Sequence, residues 1–208
     1  MHPLISRLVR RFNKRASPQP WDLAAVTSLD ELLPAGTDLT LHLGPALQDK
    51  AAGDLFDGVT LAALVRARQP GRVFEIGTGF GRSATLFALN APEARILTLS
   101  LPANPATGWI FHGQPWTAQI QQLEGDSATF DYTPWHRQMD FVFVDGWHKS
   151  PIVEKDTANA FKLVSPTGWI VWHDVDADTP DVLRCLGASA QSDIAWIKGT
   201  RYAIWRAR

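Results

Sequence analysis

The chain has 208 residues, of which 45% are hydrophobic, and its 20 basic and 21 acidic groups give a net charge of −1. This length suffices for one domain with a buried core, and the lack of a basic excess argues against a nucleic-acid binder. The single cysteine, Cys185, excludes an internal disulfide framework and fits a reducing, cytoplasmic compartment. We expect neither a secretory signal nor a membrane-spanning helix, because no run approaches the roughly 18–20 apolar residues that cross a bilayer.

The first 20 residues differ from the remainder, and we predict an N-terminal extension and linker over 1–20, followed by one domain over 21–208. Apolar residues recur on one helical face at Ile5, Leu8, Val9 and Phe12. Five basic residues and no acid lie among them: Arg7, Arg10, Arg11, Lys14 and Arg15. A basic amphipathic helix can dock on an anionic membrane surface or an acidic partner. We therefore expect weak contact with a membrane surface through residues 1–16. A helix packed on its own domain, with its charges solvated, is the other interpretation.

The segment before the first clear strand is weakly patterned. A short helix is predicted at 29–33, where Ser28 caps the first turn and Glu31 follows it three residues later. A second helix is predicted around 61–65 and is ended by a Gln-Pro-Gly sequence. It leads into an apolar strand at 73–76.

Three alternating glycines follow that strand, and a helix begins directly after them near Ser83. Gly77, Gly79 and Gly81 allow positive φ angles and let a ligand lie against bare main chain, and the helix N-terminus presents free N–H groups. The G-x-G-x-G spacing differs from the motifs of dinucleotide binders and P-loops. Because Glu75 ends the strand and no lysine is present, the turn favours a ligand with a positive charge, such as an ammonium or a sulfonium. An ordinary strand–turn–helix corner is the alternative.

Strands and helices alternate through the rest of the chain. Helices are predicted at 83–89, 153–163 and 180–186, and strands at 95–101, 120–123, 140–145 and 169–172. A hairpin is predicted at 194–197 and 202–205, a covering loop at 102–118 and a turn at 166–168. Alternation of this kind predicts an α/β fold with a mostly parallel sheet and right-handed crossovers. The closing hairpin adds an antiparallel end.

Polar residues stand at the carboxyl ends of successive predicted strands. They are Glu75, Ser100, Asp126, Asp145 with His148, and His173 with Asp174. In an open α/β sheet that edge is where ligands bind. The sequence therefore predicts a functional site at this edge.

The same residues resemble a known family. The pattern consists of E-x-G-x-G-x-G at 75–81, G-D-S at 125–127, D-G-x-H at 145–148, Asp156, Gly168 and H-D at 173–174. It is similar to the class I S-adenosylmethionine-dependent methyltransferases, and within them to the small branch that includes macrolide-sugar O-methyltransferases and cephalosporin-hydroxylase-like proteins. The resemblance covers about residues 58–175 and implies a Rossmann-like fold with a seven-stranded sheet.

The resemblance also implies a binding site for S-adenosylmethionine. Its residues would be Glu75, Gly77, Thr78, Gly79, Gly81, Ser100, Asp126, Ser127 and Asp145. The glycine turn would pass under the methionine part, Glu75 would hold the ammonium through ordered groups, and Asp126 and Ser127 would lie by the adenine. Ser100 stands where the family usually has an acid that grips both ribose hydroxyls, and losing one charge-assisted hydrogen bond costs on the order of 1.5–3 kcal/mol.

Some members of the branch bind Mg²⁺, and the resemblance implies Asp145 and Asp174 as its ligands. Two carboxylates and several waters suit that ion. The catalytic residues implied are Asp145, His148 and His173, with either histidine as the base that takes the acceptor's proton. A structural role for each histidine is the alternative. Asp156 is interpreted as a helix-start acid that holds His148 or Lys149.

The leading functional hypothesis is methyl transfer from S-adenosylmethionine to a hydroxyl of a small molecule or sugar, by a cytoplasmic enzyme that acts alone or as a homo-oligomer. Two alternatives stay open. One is a binding or scaffold protein with the methyltransferase fold and no transfer activity, which Ser100 favours. The other is a membrane-peripheral enzyme that acts on a glycolipid or polysaccharide intermediate, which the basic first residues favour.

Overall fold

A computed structural model describes residues 19–23, 25–47, 55–102, 104–191 and 193–207. The predicted basic helix over residues 1–16 lies outside the described residues. The strands are β1 Ala25–Thr27, β2 Arg72–Ile76, β3 Arg95–Ser100, β4 Ile120–Glu124, β5 Met139–Val144, β6 Val164–Trp172, β7 Ala195–Ile197 and β8 Ala203–Arg206. The helices are α1 Leu29–Leu32, α2 Leu55–Arg68, α3 Arg82–Asn90, α4 Ile152–Leu163 and α5 Pro180–Gly187. Each helix and strand that was predicted within the described residues is present, with bounds shifted by a few residues.

The described strands form one sheet in the order β1-β7-β8-β6-β5-β2-β3-β4. β8 is antiparallel to both of its neighbours, β6 and β7, and the other pairs are parallel. This confirms a mostly parallel sheet with an antiparallel end. The expected number of seven strands is wrong, because β1 adds an eighth through its parallel pairing with β7. That strand is three residues long and half-exposed, so it leaves no periodic pattern in the sequence.

The sheet separates two apolar layers, which explains why its central strands are apolar on both faces. Phe87 and Leu64, from α3 and α2, pack on one face with Phe141. Val142, the next residue along β5, packs on the other face with Leu163 of α4. Central parallel strands covered on both sides carry continuous apolar runs. This arrangement leaves the carboxyl ends of the strands as the place where polar groups gather.

The turn predicted at 166–168 lies within β6 as an irregularity of the strand. Met139 pairs with Val164 while Phe141 pairs with Trp169, so the pairing shifts between these two positions. A proline within the bulge, Pro166, is tolerated because a bulged residue donates no ladder hydrogen bond. The turn prediction is therefore wrong, and the residues that it concerned form the irregular part of the strand.

Candidate functional site

The loops that follow the central strands are tied to one another at the carboxyl edge of the sheet. The amide of Gly77 donates to Leu99 O at 2.8 Å, and the amide of Asp145 donates to Ile76 O at 2.9 Å. The amide of His173 donates to Val144 O at 3.0 Å. These bonds continue the strand ladder beyond the sheet, so the polar residues predicted for this edge do lie side by side.

The glycine turn needs glycine at two positions for identifiable reasons. Gly77 has φ +107°, and a Cβ there would lie 2.0 Å from the carbonyl oxygen of Asp145. Gly81 has φ +86°, and a Cβ there would lie 2.5 Å from the ring of Phe111. Positive φ angles and missing space both select glycine. The turn is therefore packed closely between the β5 loop and the loop that follows β3.

The loop after β3 covers the glycine turn, as the sequence predicts. Gly108 donates its amide to Gly79 O at 3.0 Å, and Ile110 donates to Phe80 O at 3.1 Å. The same loop contributes Asn104 to the site. Sequence reasoning did not single out Asn104, because a polar residue in a Pro- and Gly-rich loop carries no periodic signal.

Glu75 is fully buried beneath the glycine turn. Its carboxyl oxygens accept hydrogen bonds from the hydroxyls of Ser83 and Thr98, the latter at 2.5 Å. Burial raises the pKa of Glu75 to about 8, although these two hydrogen bonds lower it. Thr78 joins the same group through a 2.8 Å hydrogen bond to Thr98. Glu75 thus acts on any ligand through the hydroxyls and the backbone around it.

A cavity of about 510 Å³ opens beside the glycine turn and contains most of the predicted cofactor residues. Its lining includes Gly77, Thr78, Gly79, Ser100, Asp126, Ser127 and Asp145. The hydroxyl of Ser100 is buried and has no hydrogen-bond partner among the described residues. A buried polar atom of this kind normally has a partner, so this serine offers an unused hydrogen bond to a ligand in the cavity.

A second cavity, of about 310 Å³, lies on the other side of the same turn. Both cavities share Gly77, Thr78, Gly79 and Asp145 as lining residues. The second one also contains His173 of the β6 loop and Asp57 of α2. Asp57 was missed by sequence reasoning, because an acid in the first turn of a helix is ordinary.

His173 lies between carboxylates from three segments. Its Nδ1 is 3.0 Å from Oδ1 of Asp145 and its Nε2 is 3.4 Å from Oδ2 of Asp57. Burial alone would lower the pKa of His173, but the carboxylates of Asp145, Asp57 and Asp174 outweigh it and raise the pKa to about 10. Asp57 is buried, which raises its pKa, yet the hydrogen bonds from His173 and Arg201 bring its pKa below the usual range. The ring is thus held in place from both sides.

His148 lies next to Asp174 and is partly exposed to solvent. Its Nδ1 is 3.6 Å from Oδ2 of Asp174, and its side chain is 39% exposed. The ring stacks on Trp147 with centroids 5.4 Å apart. Asp174 adopts φ +57°, an uncommon conformation for a residue other than glycine that is frequent at functional sites. Burial raises the pKa of Asp174, and the like charge of Asp145 adds to this, against the opposing effect of His173.

Asp156 does not make the contact expected for it. Its carboxyl oxygens are buried, and among the described residues it forms no hydrogen bond or ion pair with His148 or Lys149; the hydroxyl of Ser127 is the group that acts on it. It lies instead beneath Gly146, where a Cβ would come within 3.0 Å of its Oδ2. Burial raises the pKa of Asp156 to about 6.

Asp145, His173 and Asp174 offer ligand atoms that lie within 4.8 Å of one another, so the two acids predicted as metal ligands do converge. The guanidinium of Arg201 stands at the same point. Its Nη1 is 3.3 Å from Oδ1 of Asp174 and its Nη2 is 3.1 Å from Nε2 of His173. The oxygen and nitrogen atoms of these three residues are therefore of the types that bind a divalent ion, but the positive charge of Arg201 already lies beside them.

Comparison with known proteins agrees with this geometry. The sheet with its antiparallel end and the cavity at the glycine turn define a class I, Rossmann-like methyltransferase fold. Residues 74–175 match the family model described as a methyltransferase domain. This part of the chain belongs to that family, and by family and fold together the chain is a class I methyltransferase. No curated protein sequence matches it.

Three solved structures illustrate the likeness. An O-methyltransferase from Bacillus cereus in complex with S-adenosylhomocysteine is 17% identical over 97% of this chain and 94% of that chain, with a TM-score of 0.59. The O-methyltransferase TomG from Streptomyces achromogenes, involved in tomaymycin synthesis and solved with S-adenosylmethionine, is 22% identical over 85% and 87%, with a TM-score of 0.57. A 1,6-didemethyltoxoflavin-N1-methyltransferase from Burkholderia thailandensis is 17% identical over 74% and 79%, with a TM-score of 0.52. At these identities the likeness concerns the fold.

Across the part of the chain that the structure describes, none of the helices combines the length and the apolar character that a membrane crossing requires.

Proposed function

We propose that this chain transfers a methyl group from S-adenosylmethionine to a hydroxyl group of a small molecule or sugar. The observation that carries the proposal is the pair of cavities that share the glycine turn and Asp145 as a common wall. A donor in one cavity and an acceptor in the other would meet at that wall. Proximity and alignment of the two reacting groups supply much of the catalysis that such a transfer needs.

The larger cavity fits the cofactor in its polar groups. The backbone at Gly77 to Gly81 can lie against the methionine part, and Glu75 beneath it holds the hydroxyls of Ser83 and Thr98 in place. The unpartnered hydroxyl of Ser100 can bond a ribose hydroxyl, and Asp126 with Ser127 completes the lining at the far end. When bound, S-adenosylmethionine supplies a methyl group that its sulfonium has already activated.

The chain itself must hold the acceptor oxygen and take its proton. Both ring nitrogens of His173 already face partners, at 3.0 Å for Asp145 and 3.4 Å for Asp57. His148 uses only Nδ1, towards Asp174, and its side chain is 39% exposed. It lines a third, small cavity together with Asp145 and His173. We therefore assign His148 as the general base, Asp174 as the group that orients it, and His173 with Asp145 as the frame that holds them.

The magnesium ion expected at Asp145 and Asp174 fits this site poorly. Mg²⁺ requires oxygen ligands at about 2.0–2.1 Å in octahedral order. The Oδ1 of Asp174 faces Arg201, and the Oδ1 of Asp145 faces His173. An ion on these oxygens would displace both groups or stand beside a guanidinium, so the proposed transfer uses no step through a metal.

Transfer can be tested by following S-adenosylhomocysteine formation with pooled phenols, sugars and hydroxylated metabolites as acceptors. The wild type and His148→Ala are compared, with His136→Ala as the control because His136 is an exposed histidine away from the site. We expect turnover by the wild type and the control, and a loss of roughly 10²–10⁴-fold for His148→Ala, the usual contribution of general-base catalysis. Folded protein that binds no cofactor would instead support the non-catalytic alternative, for which Ser100 in place of an acid is the specific observation.

A further inference from the structure

Arg201 contacts two of the acids in the site, Asp57 and Asp174, and no role proposed above uses it. Its Nε donates to Oδ2 of Asp57 at 3.0 Å and its Nη1 donates to Oδ1 of Asp174 at 3.3 Å. Its Nη2 lies 3.1 Å from Nε2 of His173. Each nitrogen of the guanidinium thus faces a different residue of the site. A guanidinium stays protonated in proteins, so this is a permanent positive charge.

The backbone around Arg201 is fixed as firmly as its side chain. Its amide donates to Oδ1 of Asp57 at 3.2 Å, and its carbonyl accepts from the amide of Val175 at 2.9 Å. The turn before it is closed by Thr200, whose hydroxyl donates to Ile197 O at 2.8 Å. Arg201 is therefore held between α2, the segment after β6 and the β7–β8 hairpin. Its position follows from the fold and does not depend on the rotamer of a loose surface side chain.

The guanidinium of Arg201 lies beside the group of atoms to which a divalent ion would bind and contacts one of its acids, Asp174. The ligand atoms of Asp145, His173 and Asp174 lie within 4.8 Å of one another, and Nδ1 of His173 faces both acids. Arg201 contacts two of these three residues, at Oδ1 of Asp174 and at Nε2 of His173. Two positive charges so close together repel each other strongly away from bulk water. A metal and this guanidinium are consequently alternatives for the same acids.

We propose that Arg201 serves as a built-in cation in place of a divalent metal, so that cofactor binding and methyl transfer by this chain need no metal ion. This inference deepens the proposed function and depends on it for the transfer step. Arg201 acts as a positioning residue. It holds one oxygen of Asp174, whose other oxygen faces Nδ1 of His148 at 3.6 Å, and so fixes the ring that takes the proton.

The test is a titration with Mn²⁺, followed by its electron paramagnetic resonance signal, on the full chain. Wild type is compared with Arg201→Met, which removes the charge and keeps most of the length. Because that change removes the ion pair between the buried Asp57 and the guanidinium, the double variant Asp57→Asn with Arg201→Met is included, so that the charge of Asp57 is removed with that of Arg201. Arg206→Met is the control, since Arg206 is an exposed arginine on the same hairpin. Circular dichroism confirms folding, and S-adenosylhomocysteine binding is titrated with and without EDTA.

We expect no Mn²⁺ binding by the wild type or the control at concentrations that saturate the folded Arg201 variants, a difference of at least about tenfold in apparent affinity, because the freed acids resemble an ordinary oxygen site. EDTA should leave S-adenosylhomocysteine affinity unchanged. Tight Mn²⁺ binding by the wild type, or no gain in folded Arg201 variants, would overturn the inference. Failure of the proposed function gives a different result, namely no S-adenosylhomocysteine binding whatever the behaviour of Mn²⁺.

Discussion

Replacing Glu75 by glutamine removes the one titrating group beneath the glycine turn while keeping its shape. The carboxyl group is fully buried and accepts from the hydroxyls of Ser83 and Thr98. Burial raises its pKa from the usual 4.5 to about 8. A glutamine amide can satisfy the same hydroxyls, because a hydroxyl can donate or accept. The substitution therefore isolates the effect of the charge.

The sign of the effect follows from proton binding. An acid whose pKa is raised by folding binds more protons in the folded state than in the unfolded state between the two pKa values. The free energy of unfolding must then fall as the pH rises through that window, from 4.5 to about 8. Each pH unit is worth about 1.4 kcal/mol, so the whole window amounts to on the order of 5 kcal/mol. The Glu75→Gln variant has no such fall in the free energy of unfolding, because glutamine does not titrate.

Urea unfolding of the unliganded protein at pH 5, 6, 7 and 8 measures the difference. We expect wild type and Glu75→Gln to be about equally stable near pH 5, and the variant to be more stable by on the order of 2–4 kcal/mol at pH 8. Glu93→Gln, an exposed acid in the turn before β3, is the control and should follow the wild type. A difference that stays constant with pH would refute the reasoning, since it would mean that Glu75 is charged in the folded protein throughout.

Two further predictions concern the cofactor cavity. Ser100→Asp should tighten S-adenosylhomocysteine binding roughly tenfold to hundredfold in calorimetric titration, because a carboxylate adds charge-assisted hydrogen bonds to the ribose; unchanged or weaker binding would place the ribose elsewhere. Gly77→Ala should lower the thermal midpoint and abolish binding, because its Cβ would meet the carbonyl oxygen of Asp145 at 2.0 Å and its φ is +107°. Gly187→Ala, in open space at the end of α5, is the matched control and should keep binding.

Much of the fold could be predicted because its elements have strong patterns. β2 and β5 are apolar runs that end in acids, and the glycines at 77, 79 and 81 mark a turn that backbone geometry requires. β1 could not be predicted, because three half-exposed residues gain their strand conformation only from pairing with β7. The sequence pattern of β6 was misread for a related reason, since a bulge that contains a proline and a glycine looks like a turn until the partner strand is known.

The residues of the site also differ in whether the sequence could predict them. Residues at strand ends were predictable, because parallel strands bring their carboxyl ends to one edge whatever the loops do. Asp57 and Arg201 were not, because they reach the site from a helix start and from a distant hairpin turn. Their 3.0 Å ion pair joins residues 144 positions apart, and only tertiary packing brings them together. The expected roles of Asp156 and of a magnesium ion depended on neighbours that the sequence does not reveal.

The most direct test of the central claim is calorimetric titration of the purified protein with S-adenosylmethionine and with S-adenosylhomocysteine, with and without Mg²⁺. A methyl donor site at the glycine turn predicts binding of both compounds at one site per chain, unaffected by Mg²⁺ and lost in Gly77→Ala. Folded protein that binds neither compound would contradict the claim and leave a methyltransferase fold that serves another purpose.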